Sequence, residues 1–221
     1  MRVVALVSGG KDSIYAMYWA LNQGWEIPCM ISVEPKSDES WMFHYPNVWL
    51  TKLQAEAMGI RQVYIKTLGE KEKELDDLEK ALANAKKEYN VIGVLSGAVA
   101  SEYQRTRLER VAYNAGLKNF NPLWHKDQAR LVKDVIRAGF DVVIAGVSAE
   151  GLGKELIGKK LDEFLNNIGK SISPVGEGGE FETLVLDGPI FHKKIVIDDY
   201  EIIWDKGRGY LKVDKARLIE K

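Results

Sequence analysis

The run Val3-Val4-Ala5-Leu6-Val7 is wholly apolar, and the six residues after it read Ser8-Gly9-Gly10-Lys11-Asp12-Ser13. Beyond them Ile14, Met17, Tyr18 and Leu21 recur at helical spacing. The chain therefore opens with a buried strand, a glycine turn and a helix N-terminus in that order. Such a turn is an anion site, because backbone N–H groups converge on it and the helix dipole favours negative charge there. Lys11 adds a cation, and Ser8 and Ser13 add hydroxyl donors. The ligand these residues predict is a phosphate or pyrophosphate. The six residues match neither G-x-x-x-x-G-K-[ST] nor G-x-G-x-x-G. An ordinary strand-to-helix turn needs glycine only for positive φ, which gives no reason for a Lys, an Asp and two Ser around the pair.

Strand-like runs recur at residues 27–33, 62–65, 91–95 and 141–147, with helical patterns between them. The helices are expected at 47–58, over the stretch that aligns Leu75, Leu78, Leu82 and Ala85, at 101–115 and at 127–138. This alternation predicts an α/β fold with a doubly wound, parallel, five-stranded sheet whose last strand is 141–147. Ligands then gather at the carboxyl ends of the strands, the rim that Ser8 and Ser96 should share. After residue 147 the pattern changes. A helix fits 155–168, followed by short antiparallel strands at 181–186, 193–198, 201–205 and 210–213, with turns at Asp198-Asp199 and Lys206-Gly207-Arg208-Gly209. The expected division is a nucleotide-binding domain over 1–122 and a smaller α+β subdomain over 123–221, packed as one body with a cleft.

Of the 221 residues 46% are apolar, enough for a real core, and 31 Lys and Arg face 32 Asp and Glu for a net charge of −1. No global basic field draws the chain to nucleic acid or to a membrane, and neither is expected as a partner. No apolar stretch is long enough to span a bilayer, and the N-terminal strand lacks the marks of a signal peptide. The single cysteine, Cys29, sits in an apolar run and reads as a small core residue. A cytoplasmic protein is expected. A homodimer stays open.

Three further segments carry chemistry-bearing residues. In Ser40-Trp41-Met42-Phe43-His44-Tyr45-Pro46-Asn47 the aromatics either line a pocket, with His44 as a base, or pin a loop that Asn47 caps onto a helix. In Leu95-Ser96-Gly97, continued by Glu102-Tyr103-Gln104-Arg105-Thr106-Arg107, a second Ser-Gly turn opens a helix. Arg105 and Arg107 there either take phosphate oxygens or pair with glutamates at the surface. In Gly176-Glu177-Gly178-Gly179-Glu180-Phe181-Glu182-Thr183, three carboxylates among three glycines either hold ammonium, an amine or Mg²⁺, or form a solvated turn. His125 and His192 have no partners at metal-ligand spacing and read as structural.

The Ser8–Ser13 loop resembles the pyrophosphate loop of the N-type ATP pyrophosphatases, within the adenine nucleotide alpha-hydrolase-like folds. Four more segments narrow the likeness: Met42-Phe43-His44 with Pro46-Asn47, Gln54-Ala55-Glu56-Ala57, Glu102-Tyr103-Gln104-Arg105 and Pro122-Leu123-Trp124. With Glu177-Gly178-Gly179-Glu180-Phe181-Glu182-Thr183 they resemble the diphthine–ammonia ligases along essentially the whole chain. The resemblance implies ATP-dependent amidation, by ammonium, of a carboxylate on a modified histidine of translation elongation factor 2. The route is an acyl-adenylate, with AMP and pyrophosphate released. It implies ATP held by Ser8, Gly9, Gly10, Lys11, Asp12 and Ser13, with Val33, Ser96 and Gly97 beside it. Mg²⁺ bridges the phosphates through Asp12. Lys11, Asp12, Arg105, Glu180 and Glu182 are the catalytic candidates. His44, Tyr103, Glu177, Gly178, Gly179, Glu180 and Thr183 are the substrate-contact candidates. The acidic turn is expected to face the phosphate loop across the cleft, several ångströms from the phosphates. Two other readings stand beside this one: adenylylation of a small metabolite or a tRNA base, and a nucleotide sensor without turnover. The lone cysteine lowers a sulfur-transfer version.

Overall fold

The opening unit forms as its pattern dictates, with β1 (Val3–Leu6) running through the glycine turn into α1 (Lys11–Asn22). The computed structural model describes residues 1–35, 47–67, 73–169 and 171–221. The chain continues through β2 (Cys29–Pro35), a 3-10 turn at Val48–Leu50 that leads into α2 (Thr51–Met58), and β3 (Arg61–Thr67). Then come α3 (Lys73–Tyr89), β4 (Gly93–Leu95), α4 (Glu102–Asn114) and β5 (Lys118–Phe120). The five strands pair in parallel in the order β3-β2-β1-β4-β5. The order reverses at β1, so a crevice opens beyond the carboxyl ends of β1 and β4, where such sheets bind ligands.

Alternation along β1 divides the core. Val3, Ala5 and Val7 pack with Ile14 and Met17 of α1 on one face. Val4 packs on the other face with Cys29, Ile31 and Val33 of β2, Leu75, Leu78 and Leu82 of α3, and Leu108 and Val111 of α4. The second layer beyond α1 is not another row of helices but a second sheet.

That sheet is antiparallel, in the order β7-β6-β9-β8. It is built from β6 (Asp141–Val147), β7 (Phe181–Asp187), β8 (Lys193–Asp205) and β9 (Arg208–Glu220), and α5 (Gln128–Arg137) precedes it. The expectation that 141–147 closes the parallel sheet is therefore corrected. The fifth parallel strand is the three-residue β5, and β6 is interior to the second sheet. The physical reason is that β6 is buried from Val142 to Val147. An unbroken apolar run marks burial on both faces, not the direction of the neighbours. Lys118-Asn119-Phe120 is too short and polar to show any period.

Two other expectations change. The helix over 155–168 shrinks to a 3-10 turn at Lys154–Leu156 and α6 (Leu161–Leu165). Gly158 adopts φ +84°, and the chain then runs extended along β6, with Ile144 N–H bonded to Lys159 O and Lys160 bridged to Val143. Residues 193–198 and 201–205 form one strand, and Asp199 is a bulge in it rather than a turn. Lys206 and Gly207, both at positive φ, make the hairpin turn into β9.

The two sheets are joined at the glycine turn. Val185 N–H of β7 bonds Gly9 O at 3.1 Å, and His192 N–H bonds Ala57 O at 2.7 Å. Asn47 is buried, and its side chain does not cap a helix. Its amide pairs instead with Leu211 O and Val213 N–H of β9, as a neighbouring strand would. No helix among the described residues is long and apolar enough to cross a membrane.

Candidate functional site

The glycine turn takes its shape from both halves of the chain. Gly9 sits at φ +93°, a conformation that favours glycine. Gly10 is the N-cap of α1 and has no side chain to satisfy the first helical N–H groups. Thr183 of β7 supplies that cap from across the interface, its Oγ1 accepting from Lys11 N–H at 3.1 Å. Ser13 Oγ bonds Gly10 O at 3.0 Å and lies 3.4 Å from Ser8 Oγ. Gln54 of α2 is fully buried, and its Nε2 donates to Gly9 O at 3.0 Å and to Val185 O at 2.8 Å. Gly97 completes the cradle. A Cβ there would fall 2.5 Å from the backbone of Asp12 and Ser13, so only glycine lets the turn after β4 lie against the first turn of α1.

Lys11 does not stand out at an exposed turn. It is 3% exposed, and its ammonium donates to Val175 O at 2.6 Å and to Asp12 Oδ2 at 3.0 Å. The Phe181 ring lies 5.3 Å from the ammonium. The cation thus ties the loop to the segment that leads into β7.

A cavity of about 270 Å³ opens beside the loop. Ser8, Gly10, Lys11, Asp12 and Ser13 line it, with Ser96 and Gly97 and with Glu177, Gly179, Glu182 and Thr183. Val33 lines it at the end of β2. The acidic turn and the glycine loop line one cavity, and Thr183 reaches the loop itself through Lys11 N–H. Glu182 is an exposed residue that lines the cavity. Desolvation by the neighbouring protein raises its carboxyl to about 7, with Lys11 opposing the shift and Asp12 adding to it. Burial also raises Glu177, against the N–H of Ala100, which bonds its carboxylate at 3.1 Å.

Asp12 suits Mg²⁺. Its Oδ2 takes the Lys11 ammonium, and its Oδ1 is buried without a hydrogen-bond partner. Among the described residues no group of three or more His, Cys, Asp or Glu is placed to hold a metal ion. The ion would then draw most of its ligands from phosphates and water, as Mg²⁺ commonly does.

The remaining candidates fall elsewhere. Glu180 turns away from the cavity and accepts from Ser173 N–H and Gly178 N–H. Neither it nor Gly178 is part of the cavity wall. Arg105 lies off the wall, paired with Glu102 and Glu109 and set 5.0 Å from the Trp124 ring. Tyr103 is also off the wall, under the Arg107 guanidinium. Ser96 Oγ is bonded to Asn121. His125 stacks on Trp124. His44 and its aromatic neighbours lie outside the described residues. Sequence reading missed Gln54 as a prop for the loop, and Val175 as the acceptor for Lys11. Gln54 carried one signal, an amide on the buried face of a helix.

A family model described as the diphthamide synthase N-terminal domain matches residues 1–119, and one described as the diphthamide synthase C-terminal domain matches 127–219. A human protein named diphthine–ammonia ligase is 34% identical, covering 100% of this chain and 91% of its own. The zebrafish protein of that name is 36% identical, over 99% and 94%. The fission yeast one is 35% identical, over 96% of this chain and 39% of a longer protein. A crystal structure titled as a predicted subunit of tRNA methyltransferase from Methanocaldococcus jannaschii aligns with 15% identity and a TM-score of 0.45, covering 86% of this chain and 98% of that one. With both family models matched and relatives above 30% identity along its whole length, the chain belongs to the diphthamide synthase family, whose curated members here bear the name diphthine–ammonia ligase.

Proposed function

We propose that the chain carries out the reaction for which its relatives are named, amidating the diphthine carboxylate of translation elongation factor 2 with ammonia and ATP in the cytoplasm. The observation that carries this reading is the shared cavity. A glycine turn with Ser8, Asp12 and Ser13 lines it together with the carboxylate-bearing residues Glu177 and Glu182. The turn suits a triphosphate and the carboxylates suit a cationic nitrogen.

The chemistry requires both. A carboxylate is a poor electrophile, because its leaving group would be oxide. Its attack on the α-phosphate of ATP makes an acyl-adenylate and releases pyrophosphate, and ammonia then displaces AMP. The free N–H groups at the start of α1, with Ser8 and Ser13, hold the departing pyrophosphate. Adenine sits at the ends of β1 and β2 near Val33. Asp12 would hold Mg²⁺, which would supply charge neutralisation on the phosphates. The protein's own contribution is orientation: Thr183 caps the loop, Gln54 props it, and Gly97 lets the second strand end approach.

The test is to incubate the chain with ATP, Mg²⁺, ammonium and elongation factor 2 bearing diphthine, then weigh the factor and chromatograph the nucleotides. Conversion of acid to amide with AMP and pyrophosphate is the expected result. ADP as the product overturns the adenylylation reading. AMP that forms without dependence on ammonium or the factor points to a different acceptor.

A further inference from the structure

The turn into β7 carries three carboxylates, and hydrogen bonding separates them. Glu180 is used up by the N–H groups of Ser173 and Gly178, at 3.2 and 2.8 Å. Glu177 is bonded to Ala100 N–H and so ties the turn to the start of α4. Glu182 has no hydrogen-bond partner among the described residues and lines the cavity beside Lys11 and Asp12. Its backbone position is fixed by the sheet, where it pairs with Gly146 of β6. The site of a Cβ on Gly146 lies 3.6 Å from Glu182 Cβ and 3.5 Å from Tyr210 Cβ of β9, ordinary packing distances, so position 146 sits between these two side chains.

We infer that Glu182 is the base that takes a proton from ammonium and releases ammonia within the cavity, beside the activated carboxyl. The inference rests on the ligase reading above and names the group that prepares its nucleophile. Ammonium has no lone pair and cannot attack. One N–H proton passes to the Glu182 carboxylate, and the electron pair of that bond becomes the lone pair of ammonia. That pair forms the C–N bond to the acyl carbon, and the C–O bond to AMP breaks with its electrons staying on phosphate. A second proton leaves the nitrogen for water, giving the neutral amide.

The surroundings suit the role. The charged and titratable groups facing Glu182 are Lys11 and Asp12 from α1, Glu177 from the turn, and Tyr210 across Gly146. Lys11 is already bonded to Asp12 and Val175, so it tempers Glu182 without neutralising it. A carboxyl raised in this way is a better proton acceptor than an ordinary glutamate, and about half of it is ionised at neutral pH.

Hydroxylamine provides the test, because it is mostly uncharged at neutral pH and needs no base to expose its lone pair. Glu182→Gln and wild type are compared with ammonium, read as amide, and with hydroxylamine, read as hydroxamate, on diphthine-bearing elongation factor 2. Loss of a positioned base predicts a fall in ammonium-dependent rate of about 100-fold or more at pH 7, with the hydroxylamine rate kept within roughly fivefold. The pH profile gives a second readout. Wild-type amidation rises through about pH 7 and levels off, as Glu182 ionises. The Gln variant instead tracks free ammonia and keeps climbing with pH. Equal loss with both nucleophiles, or no loss with either, overturns the assignment of the base. A wild type that yields neither amide nor hydroxamate overturns the ligase reading itself.

Discussion

Replacing Lys11 with Met keeps the aliphatic stem and removes only the ammonium. On the sequence alone this lysine reads as a phosphate contact on an exposed turn, whose loss should spare the fold. Its burial reverses that expectation. The ammonium holds Val175 O at 2.6 Å and Asp12 Oδ2 at 3.0 Å, with the side chain 3% exposed. A hydrogen bond to a charged group contributes about 1.5–3 kcal/mol, and a buried polar atom left unpaired costs about 1–3 kcal/mol. Asp12 is 28% exposed, so water can take over much of its share. The Val175 carbonyl dominates, and the sum is about 2–4 kcal/mol. For a chain of this size each kcal/mol lowers the melting temperature by about 2–4 °C, so the expected drop is about 5–15 °C. Thermal unfolding followed by circular dichroism measures it, with titration of a non-hydrolysable ATP analogue beside it. A variant that melts within about a degree of wild type while losing nucleotide affinity would refute the reasoning, because the ammonium would then serve phosphate and not the fold.

Four further outcomes follow from the same geometry. Gln54→Ala removes the donor that Gly9 O and Val185 O share; Gly9 O keeps the Val185 N–H, so the loss is about 1–3 kcal/mol and the denaturation midpoint should fall measurably. Gly97→Ala sets a methyl 2.5 Å from the Asp12 and Ser13 backbone; the displaced loop should lose roughly 100-fold in pyrophosphate release while the far-ultraviolet spectrum is kept. Burial pushes the Asp141 carboxyl up, but the Lys160 and Lys194 ammoniums together hold it below its ordinary value. Its stabilising effect should be full above an unfolded pKa of about 3.9 and be lost as pH falls through the folded value, so acid titrations of Asp141→Asn should lack that part of the transition. Burial raises the Cys29 thiol to about 12, so a thiol reagent should label the native protein slowly and the unfolded one at once.

What could be read from the sequence was what repeats along the chain. The parallel sheet followed from apolar runs at regular intervals, and the helix over Leu75, Leu78 and Leu82 from one face buried at helical spacing. The strand, glycine turn and helix around Ser8–Ser13 followed from a local juxtaposition of residue types. Strand membership beyond that did not follow. Burial on both faces makes β6 look like a parallel strand, and three residues cannot display a period, so β5 was silent. Gly158 interrupts an apolar pattern that would otherwise read as a longer helix, because Ile157, Leu161 and Phe164 remain buried without one.

The site was half legible for a related reason. Listing carboxylates around the start of β7 identifies the group but not the member that is free, since Glu177 and Glu180 accept from backbone N–H groups and Glu182 from none among the described residues. Those N–H groups belong to Ala100, Ser173 and Gly178, and the Ala100 contact spans 77 positions of the chain. The same distance hides the cap on α1. Gly10 leaves the first helical N–H unsatisfied, a deficit the sequence does display, but the oxygen that meets it belongs to Thr183, 172 positions away. A helix that opens on glycines with no local cap therefore has two readings, an anion site or a donor awaiting a distant partner. Here Lys11 N–H takes the distant partner, which leaves the neighbouring N–H groups for phosphate. The nucleotide loop is in this way completed by the strand that carries Glu182. Disturbing β7 should reach ATP binding and acceptor chemistry together, whereas neutralising Glu182 alone should reach only the second.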